Sequence, residues 1–120
     1  MREIIFRGKR LDHGEWVSGT MYRIAIDLNP FIMEEDKHGC SYEVDEETVG
    51  QYTGMNDKNG QRIFEGDIIS LRTGRPHVVR FKDGAFILED SAIPMSFAIK
   101  FEIIGNIYDN PELLKEEART

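Results

Sequence analysis

The sequence predicts a single, mainly β domain, with a small SH3-like β-barrel over residues 48–108, additional N-terminal strands and a variable loop over 1–47, and a short C-terminal helix and tail over 109–120. Three observations carry that expectation. Short runs rich in β-branched and aromatic residues alternate with clusters of Gly, Asn and Asp, the punctuation of a strand-and-turn chain. Between Asp67 and Asp90 two turns fix a three-stranded meander whose apolar side chains fall together. At 120 residues and 40% apolar content, the chain is long enough to bury one real core.

Taken in order, residues Glu3 to Arg7 alternate, with Ile4 and Phe6 on one face and Ile5 on the other, and Gly8 is expected to end this first strand. Leu11-Asp12-His13-Gly14 reads as a turn. Glu15 to Ile24 then reads as a long strand with Gly19 at its middle, where a glycine marks a bulge or a sharp bend. Asp27-Leu28-Asn29-Pro30 has turn chemistry, and Phe31-Ile32-Met33 is a short apolar run. Ser41-Tyr42-Glu43-Val44 is expected to pair back across the polar stretch 34–39 as a hairpin.

The centre of the chain is a turn motif made of Gly54, Asp57, Gly60, Glu65, Gly66 and Asp67. Asp57-Lys58-Asn59-Gly60 combines residues that tolerate left-handed backbone with a glycine, so the chain reverses near residue 59. Gly66-Asp67 is a second breaker that delivers the chain into Ile68-Ile69, and a strand should start at or just after Asp67. If Gly74-Arg75-Pro76 is a three-residue loop, Leu71 faces Val79 and Ile69 faces Phe81. Asp83-Gly84 is a two-residue hairpin signal that pairs Phe81 with Phe86 and Val79 with Leu88. Both registers place Ile69, Leu71, Val79, Phe81, Phe86 and Leu88 inward and Ser70, Arg72, Val78, Arg80 and Lys82 outward.

Ile93-Pro94 interrupts the pattern, and Phe97 to Ile104 resumes it as the expected closing strand, with Phe97, Ile99, Phe101 and Ile103 on one face. Asn110 followed by Pro111 and Glu112 reads as an N-cap and first turn of a short helix anchored by Leu113 and Leu114, with Lys115 to Thr120 fraying.

Composition narrows the function classes. No apolar run approaches the roughly 18 residues a bilayer span needs, and Met1-Arg2-Glu3 opens into a strand pattern without a leader, so no membrane partner and a place in the cytosol are expected. The single Cys40 has no internal disulfide partner, and with His38 it falls short of the four ligands of a structural zinc site. No cofactor, metal site or catalytic residue is predicted. The formal charge of −7 opposes wholesale wrapping of nucleic acid.

Four local patterns are weighed against plainer readings. Arg72, Arg80 and Lys82 share the outer face of the meander, in a run from 70 to 82 without an acidic residue, and could hold a phosphate backbone. The plainer reading is a sheet face kept soluble by charge. Trp16, Tyr22, Tyr42 and Tyr52 could stack on unpaired bases, but they lack basic interleaving in the sequence and read better as core or cross-strand aromatics. Glu65 and Asp67 form a carboxylate pair at i and i+2, the start of an acid/base or metal site, although Asp at that turn more simply bonds backbone amides. The stretch 34–47 carries seven acidic residues against Lys37 and suits either a basic partner or bulk water.

Gln51-Tyr52-Thr53-Gly54, Asp57-Lys58-Asn59-Gly60 and Glu65-Gly66-Asp67-Ile68, with Arg2-Glu3-Ile4 and Phe6-Arg7 before them and Gly105-Asn106-Ile107-Tyr108 and Asn110-Pro111 after, resemble the YopX family of small phage and prophage proteins. Phe64 stands where a tyrosine is expected, and residues 24–47 match no part of the pattern. The resemblance implies a mainly β fold without an established biochemical role, so no functional residue is carried over. The expected function is a non-enzymatic phage accessory protein that binds a macromolecule, a protein ahead of a nucleic acid, through an exposed strand or the loops near 27–47. The alternatives are a nucleic-acid-binding barrel using Arg72, Arg80 and Lys82, and a metal-dependent enzyme at Glu65 and Asp67. A β-edge homo-oligomer stays open.

Overall fold

The computed structural model describes residues 4–35, 39–71 and 74–114. Arg2 and Glu3, residues 36–38 of the acidic stretch, Arg72 of the basic face and the tail 115–120 lie outside the described residues. The chain is mainly β, with ten strands among the described residues, and it divides into two units at Tyr52 and Thr53.

In the first unit β1 (Phe6–Lys9), β2 (Trp16–Tyr22), β3 (Phe31–Glu34) and β4 (Ser41–Glu43) lie in the order β4-β3-β2-β1, and the start of β5 (Gly50–Asn56) follows β1. Every pairing is antiparallel, with Gly8 opposite Val17, Tyr22 opposite Phe31 and Ile32 opposite Tyr42. Val17, Ile32 and Val44 are buried together, with Phe6, Met21, Tyr42 and Val49 packed against them. Each fully buried Val or Ile contributes roughly 1.5–3 kcal/mol relative to exposure, so this small cluster is what holds the hairpins as one layer.

Two glycine expectations are corrected here. Gly8 does not end β1; it is buried within it, and a Cβ there would lie 3.0 Å from Val44 Cβ. Gly19 marks no bulge, since the β2–β3 register runs without a shift from Gly19–Glu34 to Tyr22–Phe31. Its role is close approach: with φ of 156°, a Cβ would stand 1.9 Å from the Met33 carbonyl oxygen. In the alternation at the start Ile5 is buried and Ile4 exposed, while Phe6 packs against the cluster.

In the second unit the end of β5 is followed by β6 (Arg62–Phe64), and β7 (Asp67–Ser70), β8 (Pro76–Lys82), β9 (Ala85–Leu88) and β10 (Glu102–Asn106) form a sheet in the order β10-β7-β8-β9. Among the described residues this sheet is open, with β10 and β9 at its edges. Ile63, Ile69, Leu71, Val79, Leu88 and Ala98 form its core, with Met55, Ile93, Met95, Phe101 and Ile103 against them.

The Asp83-Gly84 hairpin has the expected register, Val79 with Leu88 and Phe81 with Phe86, because both turn residues take positive φ, 52° and 83°. The preceding loop differs. Ile69 pairs with His77 and Ser70 with Pro76, four residues from the expected register, since Leu71 N–H donates to Arg75 O at 3.2 Å and the strands part earlier. A shift by an even number leaves each side chain on its face, so Ile69, Leu71 and Val79 still point inward. Phe81 does not: the hairpin overshoots the core, leaving Phe81 52% exposed and edge-on to Phe86 with ring centroids 4.9 Å apart. Val78, expected outward, is buried.

The expected strand from Phe97 is instead a 3₁₀ helix over Met95–Lys100, started by Pro94, whose carbonyl accepts from Phe97 N–H at 3.0 Å. Phe97 and Ile99 are exposed and Ala98 is buried, and β10 begins only at Glu102, with a bulge between Ile103 and Gly105. At the end a helical turn forms over 112–114, with Leu113 N–H donating to Asn110 O at 3.1 Å. The Asn110 side chain turns back, its Oδ1 accepting from Asn106 N–H at 3.2 Å.

Candidate functional site

Between β2 and β3 the chain makes a loop over 23–29 that exposes three aliphatic side chains, Ile24 at 70%, Ile26 at 93% and Leu28 at 49%. Aliphatic side chains of that exposure cost solvation without returning packing, so their placement needs a local cause. The loop is held open to water by its base. Tyr22 and Phe31 close it with stacked rings, centroids 5.5 Å apart, and the fully buried Pro30 fixes its exit. Inside it Leu28 N–H donates to Ala25 O at 3.2 Å, a tight turn with Ile26 at its tip.

Arg23 ties this loop to the next element. Its Nη1 donates to Leu28 O at 3.0 Å and its Nη2 meets Glu46 Oε2 at 2.6 Å. Glu46 opens the 3₁₀ turn Glu46–Thr48, in which Asp45 Oδ1 accepts from Glu47 N–H at 3.0 Å and Thr48 Oγ1 both donates to Asp45 O and accepts from Lys9 N–H. A planar guanidinium spanning two acceptors is what a single cation can do to order a loop. The result is a pre-organised apolar tip beside an acidic turn, and a surface that is already ordered spends less entropy on binding.

The basic face is reduced where it is described. Arg80 Nε lies 3.4 Å from Glu89 Oε1, its diagonal neighbour across the β8–β9 pair, and Lys82 is exposed near the hairpin tip. The hairpin register already implied Glu89, since Arg80 opposite Ile87 puts residue 89 on the diagonal. The aromatics hold the core and cross-strand places expected of them, with Tyr22 stacked on Phe31 and Tyr42 packed against Val17, Ile32 and Val44, and only their lack of nearby cations is corrected. Cations the sequence left scattered come onto them: Arg7 and Lys9 lie 4.6 and 5.7 Å from the Trp16 ring, and Arg10 lies 3.9 Å from Tyr42 while pairing with Asp12 at 2.7 Å. Tyr52 is buried.

The turn motif is occupied by the backbone. Asp57, 5% exposed, accepts from Asn59 and Gln61 N–H through Oδ1 at 2.9 Å each and from Ile103 N–H through Oδ2 at 3.0 Å. Burial pushes its carboxyl up, but the three amide bonds outweigh that and hold it below the usual carboxylate value. Gly60 closes the same turn by donating to Asp57 O, and Gly54 lies exposed in β5. Asp67, fully buried, accepts from Phe64 N–H at 2.8 Å. Gly66 donates to Val79 O and accepts from Ile107 N–H, and a Cβ on it would meet the Tyr108 ring at 3.1 Å. Glu65 is half-buried beside them. Among the described residues no three of His, Cys, Asp and Glu are grouped as metal ligands, and no helix is long and apolar enough to cross a membrane.

The family model described as YopX protein matches residues 5–115. The chain is similar to the crystal structure of protein EF1440 from Enterococcus faecalis, with a TM-score of 0.61 and 27% identity over 95% of this chain and 99% of that one. No curated protein matches.

Proposed function

The chain belongs to the YopX family, and from that premise we propose a non-enzymatic accessory protein that works by binding another protein through the 23–29 loop. The observation that carries this reading is the exposure of Ile24, Ile26 and Leu28 on a loop fastened at both ends. Such a tip supplies apolar anchors, the chemistry that dominates protein contacts, at little cost in ordering. The answering of Arg80 by Glu89 supports placing a protein ahead of a nucleic acid. The resemblance of the motif blocks to phage and prophage proteins supports an origin in such an element and a site of action in the host cytosol.

The test replaces Ile26 by a photo-crosslinking residue in host cells, with the same residue at exposed Lys58 as control. A defined protein adduct from position 26, absent from position 58 and lost on Leu28→Ser, is the expected result. Equal labelling from both positions, or none from position 26, would overturn the reading.

A further inference from the structure

We infer that the partner of this loop is a basic protein segment, one that sets Lys or Arg beside its apolar anchors. This rests on the protein-binding reading above and adds the partner's chemistry. It follows from how charge is spent in the first unit. Its described residues hold four cations and nine carboxylates. All four cations are engaged: Arg7 and Lys9 over Trp16, Arg10 on Asp12, and Arg23 on Glu46.

Three exposed carboxylates, Asp27, Glu43 and Glu47, meet no cation among the described residues. All three stand at positions that the strand register and the Arg23 ion pair connect to the loop. Asp27 is within the loop, Glu43 is opposite Phe31 where the loop ends, and Glu47 follows the glutamate that Arg23 holds.

A second observation points the same way. A cleft of about 370 Å³ opens beside β4, walled by Leu11, Asp12, Ser41, Tyr42 and Glu43. Its wall carries the Tyr42 ring and Asp12, both already engaged by the chain's own Arg10, and Glu43, which meets no cation among the described residues, so one carboxylate of the cleft is open to an ammonium or guanidinium. A nucleic acid or an acidic peptide would bring like charge to this rim, and so would a second copy of the same face.

The test measures binding of three short synthetic peptides to the full chain at low and physiological salt: one of alternating Leu and Lys, one of Leu and Glu, one of Ser and Lys. The Leu/Lys peptide is expected to bind at least about tenfold tighter than either other, and to weaken several-fold as salt rises. Ile26→Ser with Leu28→Ser should cost about tenfold, and Glu43→Gln with Glu47→Gln about threefold together with most of the salt dependence. Circular dichroism checks that these surface variants stay folded. Equal binding of the Leu/Glu peptide, unchanged affinity in the glutamine variant, or no binding by any peptide overturns the basic partner. The position 26 crosslink can still stand in each of those cases. If the Ser/Lys peptide binds as well as Leu/Lys and the loop variants change nothing, the inference falls and the absence of a position 26 adduct takes the reading with it.

Discussion

Asp57 Oδ2 accepts the backbone N–H of Ile103 at 3.0 Å, so one buried carboxylate fastens the 57–60 turn to a strand 46 residues further on. The same carboxylate takes two amides of its own turn. Removing it strands three donors in a place where water has little access. Asp57→Ala should therefore lower stability by about 3 kcal/mol, read as a fall in the urea midpoint at neutral pH. A loss below about 0.5 kcal/mol would show that the turn holds without it.

The same residue gives a pH dependence with a definite sign. Its folded carboxyl titrates below the ordinary value of 3.8. A depressed carboxyl stabilises the fold fully above the unfolded value and loses that contribution as pH falls through the folded value. The gap between wild type and Asp57→Asn should be constant at neutral pH and narrow on acidification below 3.8. Urea titrations at stepped pH would refute this if the gap widened towards acid.

Gly19 and Gly8 separate two kinds of glycine requirement. At Gly19 an added methyl meets a backbone oxygen at 1.9 Å, which can yield only if the β2–β3 ladder opens. At Gly8 it meets the Val44 side chain at 3.0 Å, which a small shift relieves. Gly19→Ala should cost at least about 3 kcal/mol and Gly8→Ala about 1 to 2. Thermal melts of the two variants in parallel decide the order, and Gly8→Ala melting lower would contradict it.

These differences also mark where sequence reading works on this chain. Asp83-Gly84 was legible because the turn type demands positive φ at both positions, and the register beyond it follows by counting. The 71–75 loop was not, because Gly74, Arg75 and Pro76 suit more than one loop length and local preference cannot choose between registers four residues apart. Phe97 and Ile99 show why alternation misleads near a proline: apolar residues at i and i+2 look like a strand, while Pro94 sets a 3₁₀ start that buries Ala98 between them. In the site itself Asp67 announced its backbone role and the 57–60 turn was legible, but the reach of the Asp57 carboxylate to Ile103, 46 residues on, was not. Nor was the apolar tip, since Ile24 reads as the end of a strand until Arg23 is seen bonded to Leu28 and Glu46.

For the basic face the expectation is a negative result with a control. In fluorescence anisotropy on short single- and double-stranded DNA and RNA, any signal at about 20 mM salt should vanish near 150 mM. It should also be the same for Arg80→Ala with Lys82→Ala, because Arg80 is already answered by Glu89. Binding that survives physiological salt and is lost in that double variant would restore the nucleic-acid reading.

Arg23 is where loop order and global stability come apart. Its ion pair with Glu46 is partly exposed, with the side chains 34% and 57% accessible, so screening limits its contribution to the fold to at most about 1 kcal/mol. Its two bonds nonetheless span the loop and the acidic turn, and lysine offers no planar fork to hold both acceptors at once. Arg23→Ala and Arg23→Lys should both leave the urea midpoint nearly unchanged. Amide exchange at Leu28 and Glu46 should speed up by about three- to tenfold, with Val17 and Ile32 unaffected. If the lysine variant keeps wild-type exchange at Leu28, a point charge is enough to order the tip. If the core amides accelerate equally, Arg23 supports the whole sheet and the loop is not an independently ordered contact.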